Sequence, residues 1–145
     1  MEELLFGLEI DHDQLFVGFL GIWIRLGNNL GDADGLPLLL ENAFNLAPTN
    51  NNLNSPLLPQ FARGTTAPAA LVYGVPATPA NFFYYLPQLS DDLMTWFGSD
   101  QYPQYFSIST SVGSTNTFFT VQPVVGNWPG DSSRLFMRLK IQPKP

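Results

Sequence analysis

The chain has 145 residues, 45% of them hydrophobic and 14% aromatic, and carries a net charge of −6 at pH 7. That length suits one domain with a sizeable core, and the apolar content excludes intrinsic disorder. An acidic balance with no basic stripe excludes a nucleic-acid partner, and the lack of cysteine excludes a disulfide framework, a zinc–thiolate site and a thiol nucleophile.

Residues 1–41 hold eight of the twelve acids and a single base, Arg25. The opening "MEELLFGLEI" is acidic where a signal peptide needs a positive region, so an exported chain would carry its signal outside this sequence. "LFVGFLGIWI" (15–24) is too short for a membrane span, which needs ~20 residues, so no span is expected. Gly18 and Gly21 weaken a helix there while Phe, Val, Ile and Trp favour a strand, and periodicity leaves both open. The run reads as a packing element. Its alternative is a homo-oligomer interface of a self-assembling surface or filament subunit, since large aromatic patches rarely stay exposed in monomers.

"GNNLGDADG" (27–35) is a loop, and a helix should follow it. Pro37 suits the first turn, Leu36, Leu39, Leu40, Ala43 and Leu46 recur at helical spacing, and Pro48 ends the element. With Gly35 as the sixth position of an EF-hand-type loop, Asp32 is third, Asp34 fifth, Leu36 seventh through its carbonyl, and Glu41 twelfth. Ca2+ takes about six to eight oxygens, and the twelfth-position glutamate can bind it bidentately. Leu30 and Leu38, at the first and ninth positions, offer no side-chain oxygen. The stretch is thus either a weak Ca2+ site or a helix start where Asp32 and Asp34 meet the macrodipole and Glu41 is solvated.

The N-terminal segment runs over 1–48, a proline-punctuated linker over 49–68, and a β portion over 69–145, in one compact domain overall. Strands are expected at 70–75, 81–89, 104–110, 117–125 and 134–141, separated by turn clusters such as "SVGSTN" and "GNWPGDSS". In the last strand Leu135, Met137, Leu139 and Ile141 share one face. Pro87 and Pro123 mark edges or bulges. In "SDDLMTW" (90–96), Ser90 and Asp91 should make local turn bonds while Leu93 and Trp96 cap the core.

Catalytic signals are sparse. The one histidine, His12, lies between Asp11 and Asp13, and Ser114 sits in an apparent hairpin turn with no nucleophile motif. A small serine-type hydrolase is therefore only an alternative, and the acid pairs are too close in sequence to flank a glycosidic bond. A carbohydrate-binding module is a further alternative, with Tyr84, Tyr85, Trp96, Tyr102, Tyr105 and Trp128 as a stacking platform on a sandwich face, although aromatics in such a sheet are more often core. Its ligand-binding residues would be Tyr102, Tyr105 and Trp128, the last offering an exposed ring from its loop.

Three stretches carry a resemblance. "GDADGLPLLLENAFNLAPTNN" resembles a D-x-D-x-D-G-L-x-N-L-L-E-Y-A segment of large secreted proteins of Verrucomicrobia and Planctomycetes. "YYLPQLSDDLMTW" and "SSRLFMRLKIQP" are similar to that family's Y-x-V-x-x-S-x-D-L-x-x-W and R-F-x-R-L-x-V stretches, in the same order. The resemblance implies a C-terminal accessory module, with a degenerate calcium loop and helix followed by a β-sandwich, and brings no enzymatic activity.

The expected fold is thus mainly β, an antiparallel β-sandwich with a short helical, acidic N-terminal segment. The expected role is a non-catalytic extracellular accessory module, secreted or at the cell surface. It would be structural or bind a carbohydrate or cell-surface polymer, with Ca2+ as the one candidate cofactor.

Overall fold

The computed structural model describes residues 3–6, 8–11, 22–25, 38–47, 49–51, 54–62, 69–77 and 82–145. In chain order these form β1 (Glu3–Phe6), β2 (Leu8–Asp11), β3 (Ile22–Arg25), α1 (Leu38–Ala43), β4 (Gln60–Ala62) and β5 (Ala70–Pro76). There follow β6 (Phe83–Ser90), β7 (Phe97–Gly98), β8 (Phe106–Val112), β9 (Asn116–Pro123) and β10 (Arg134–Pro143), with 3-10 turns at Pro103–Tyr105 and Val125–Asn127. The strands build two four-stranded antiparallel sheets, ordered β2-β10-β6-β7 and β4-β5-β9-β8, and a β1-β3 pair. No helix among the described residues is long and apolar enough to cross a membrane.

Period-two patterning sets the core. Leu135, Met137, Leu139 and Ile141 of β10 are all buried, as their alternation predicts, and β6 adds Leu89 opposite Met137. The second sheet buries Leu71 and Tyr73 from β5 and Val121 from β9 in the same cluster. Burying each such aliphatic side chain contributes about 1.5–3 kcal/mol. This is the expected mainly-β sandwich.

The first strands and the last belong together: β2 pairs with β10, from Asp11 opposite Arg134 to Leu8 opposite Met137. Residues 49–68, expected as a plain linker, contribute β4 to the second sheet. Three residues are too few to show a period. The two prolines sit where ladders end. Pro87 accepts a hydrogen bond from Ser99 N–H at 3.0 Å, so its own nitrogen faces the two-residue β7. Pro123 is the last residue of β9, beyond the point where Leu71 and Val121 close the pairing with β5.

Helix α1 is short and ends in a Schellman motif. Asn45 takes the left-handed conformation (φ 51°), Leu46 N–H reaches Glu41 C=O at 2.7 Å, and Asn45 N–H reaches Asn42 C=O at 3.2 Å. That turn drives Phe44, fully buried, into the sandwich. Phe44 meets Tyr85 edge-on at 5.8 Å, Tyr85 stacks on Tyr73 at 6.3 Å, and Tyr73 stacks on Phe119 at 5.3 Å. The Tyr85 hydroxyl donates to the Ala43 carbonyl, fastening the helix end to β6.

The two stacked phenols predict a pH response. Burial pushes Tyr85 up to about 12 and raises Tyr73 further, the neighbouring Tyr85 adding a smaller charge effect. Below the ordinary value of 10 both are neutral in either state and their contribution is complete. Above it the unfolded chain loses these protons first, so stability falls as pH rises through the folded values. Melting curves from about pH 8 to about pH 11 should show Tm declining steeply past about pH 10. Tyr73→Phe should flatten that decline, and an equally steep decline in the variant would contradict it.

Candidate functional site: three connections around an aromatic cluster

The β6–β7, β7–β8 and β9–β10 connections meet at one place. The first is organised by Ser90 and Asp92. Ser90, fully buried, accepts N–H groups of Asp92 (3.3 Å) and Leu93 (2.9 Å) and donates to Asp92 Oδ1 at 3.0 Å. Asp92 Oδ1 accepts the N–H groups of Met94 (2.8 Å) and Thr95 (2.7 Å). Backbone donation from Thr95, then Met94, holds the Asp92 carboxyl below its ordinary range. These bonds keep Leu93 at φ 62°, a left-handed conformation that costs a non-glycine residue about 1–2 kcal/mol.

Leu93 does not cap the core, against expectation: it is half exposed, and Met94 is 86% exposed. The turn bonds point both side chains outward. Trp96 is half-buried, with its indole N–H on the Leu93 carbonyl at 3.2 Å and the Arg138 guanidinium over its ring at 4.0 Å. Arg138 Nε also donates to Gln88 Oε1 at 2.6 Å.

Asp91 acts at long range rather than in the local turn. Its Oδ2 accepts the Trp128 indole N–H at 3.2 Å and the Asp131 N–H at 2.9 Å, joining the first connection to the third. Gly130 gives the carboxylate room, because a Cβ there would lie 2.0 Å from Asp91 Oδ2. Asp131 in turn accepts the Ser133 hydroxyl (2.6 Å) and N–H (2.9 Å), which lower its pKa, the hydroxyl most.

Around this anchor sit four rings. Phe97 meets Tyr102 (5.0 Å), Trp128 (5.3 Å) and Tyr105 (6.0 Å) edge-on, and Trp128 meets Tyr105 edge-on at 5.3 Å. Tyr102 and Tyr105 are parallel within 4°, their centroids 5.7 Å apart. The backbone fixes them too: Tyr102 N–H donates to Gly98 C=O at 2.9 Å, and Val124 N–H to Tyr105 C=O at 2.8 Å. Asn127 Nδ2 donates to Gln104 C=O at 2.8 Å, tying the two 3-10 turns together.

The three aromatic residues expected to bind ligand are therefore neighbours. Trp128 needs correction, since it is only 8% exposed instead of offering a free ring. Its loop folds back over the end of the sandwich, and Asp91 satisfies the N–H that burial would otherwise strand. Tyr102 and Tyr105 stay half-exposed. Phe97 joins the cluster without any signal in the sequence, and Asp91, expected in the local turn, joins it through Trp128 and Asp131 instead.

Of the four expected calcium ligands, Asp32, Asp34 and Leu36 lie outside the described residues, as does His12. Glu41 is described and is 0% exposed, so it is not the solvated residue of the second reading. Among the described residues no group of three or more His, Cys, Asp or Glu side chains could hold a metal ion. Ser114 lies in the exposed β8–β9 hairpin turn, where Gly113 N–H reaches Asn116 C=O at 2.8 Å. Comparison with protein-family models, curated proteins and solved structures finds no match to this chain.

Proposed function

We propose that the chain is a non-catalytic extracellular accessory module whose sandwich holds an aromatic end in place to bind a carbohydrate or cell-surface polymer. The observation that carries this reading is the Tyr102–Tyr105 pair. The rings are parallel, half-exposed and fixed from behind by Phe97 and Trp128. A rigid, amphipathic ring pair binds a sugar face at little entropic cost, because nothing must be ordered on binding. Three nearby carboxylates serve structure: Asp91, Asp92 and Asp131 each accept two or more hydrogen bonds from their surroundings.

The test is retention of the protein on insoluble cellulose, chitin and xylan, followed by titration with soluble oligomers of any polymer that retains it. Tyr102→Ala should weaken retention about tenfold or more, the scale of one lost hot-spot ring, while Tm moves little. Wild-type protein that no polymer retains would count against the reading.

Calcium belongs to the same proposal as a stabiliser. Glu41, buried against the core on α1, suits a ligand at the twelfth loop position, with Asp32, Asp34 and the Leu36 carbonyl completing the set. Binding to the folded state alone stabilises it by RT ln(1 + [L]/Kd), so at about 100 times Kd the gain is about 2.7 kcal/mol. Melts in excess calcium and in chelator should differ by several degrees, and Asp34→Asn should shrink the difference. Coincident melts would remove calcium from the picture.

A further inference from the structure

We propose that the chain pairs with a second copy of itself through β8, antiparallel and centred on Thr110. Strand β8 is one edge of its sheet, and residues 107–112 are exposed throughout. Tyr105 and Gly113 bond to β9 through Val124 N–H and Asn116 C=O, so the odd-numbered residues face that partner. Backbone groups alternate along a strand, which leaves Ile108, Thr110 and Val112 with N–H and C=O turned outward.

The edge lacks the usual protection. Long exposed edges are normally blunted by charge, proline or a bulge, and "SISTSV" has no charge and no proline. The same three residues share the inward face of the sheet, since Ile108 pairs with buried Val121 and Thr110 with Phe119. Yet Ile108 is 44% and Val112 80% exposed, so the apolar row runs on past its cover.

The occupant is argued from the strand's own pattern. About Thr110 the sequence is chemically palindromic, with Ser111 matching Ser109 and Val112 matching Ile108. Two antiparallel copies place Ile108 opposite Val112 and Thr110 opposite Thr110. All three resulting pairs (108 with 112, 110 with 110, 112 with 108) have outward backbone groups and can exchange both hydrogen bonds. The arrangement is two-fold symmetric and closes on itself. Charge agrees: the chain bears −6, but β4, β5, β9 and β8 contain no charged residue, so a second copy meets no charge on the extended sheet. The other edge of this sheet, β4, has three residues, so pairing β8 onto β4 of another copy would make fewer bonds than β8 on β8.

Sedimentation of the whole chain from micromolar to millimolar concentration reads the association. A reversible dimer is expected, tightening with added salt as repulsion between the acidic copies is screened. Thr110→Lys sets like charges face to face across the two-fold and should weaken the dimer about tenfold or more, its melt matching that of the wild type at dilutions where both are monomeric. The register has its own test, because the chain has no cysteine. Thr110→Cys should oxidise to a covalent dimer, its Cα atoms being about 5.5 Å apart in such a pair. Ser107→Cys should not, its two copies lying about 20 Å apart. A wild-type chain that stays monomeric at millimolar concentration, an open polymer, or Ser107→Cys cross-linking as readily as Thr110→Cys would each overturn the proposal.

Discussion

Asp91→Ala is expected to destabilise the protein by about 2–3 kcal/mol, well beyond the usual cost of changing a partly exposed acid. The substitution removes a charged acceptor from two donors at once, the Trp128 indole and the Asp131 backbone N–H. The indole cannot turn to water, because Trp128 is buried against Phe97 and Tyr105. A double-mutant cycle separates that bond from general damage. In a Trp128→Phe background the donor is gone, so Asp91→Ala should cost at least about 1 kcal/mol less. Equal costs in both backgrounds would show that the carboxylate does not act through the indole. Trp128 emission should also shift to the red in Asp91→Ala as the third connection loosens.

Phe44→Ala is expected to cost about 3–5 kcal/mol, the range for deleting a fully buried phenyl ring. Phe44 carries the end of α1 into the sandwich core together with Ala43, wedged beside Tyr85. The cavity would open at the end of a stacked series running through Tyr85 and Tyr73 to Phe119, one that cannot collapse without breaking its stacking. Chemical denaturation should give one transition at a lower midpoint with an unchanged m-value. A loss below 1 kcal/mol would mean that α1 is not docked as described.

The contrast between these two residues shows what could be read in advance. The alternation of Leu135, Met137, Leu139 and Ile141 announced β10 and its buried face, and turn clusters bounded β5, β6, β8 and β9. The short strands β1, β2, β3, β4 and β7 have two to four residues each, too few for a period, so only pairing defines them. Asp91 illustrates a second limit. Locally it is one of two adjacent aspartates, and its distinguishing partner stands 37 residues away. Asp92 takes the local turn role expected of its neighbour. The proline- and glycine-rich loop around Trp128 suggests exposure, but an indole has too much apolar area to leave uncovered when a carboxylate can take its N–H.

Tyr102, Tyr105 and Trp128 stand out in the sequence as aromatic residues of a β-rich stretch, Trp128 by its loop position, and the fold gathers them round Phe97. Burial then divides them by role. Trp128 supports from below, while the two tyrosines stay in reach of solvent. That division is what turns a loose list of aromatic residues into a surface with an inside and an outside.

The most direct measurement is polysaccharide retention by three proteins side by side: wild type, Tyr102→Ala and Tyr105→Ala. The wild type is expected to be held by at least one polymer and to change its Trp128 emission on binding soluble oligomers, with both alanine variants released and Tyr102→Ala still melting near the wild-type temperature. Retention that survives loss of both tyrosines, or no retention of the wild type on any polymer, would contradict the assignment of this aromatic end as the binding surface.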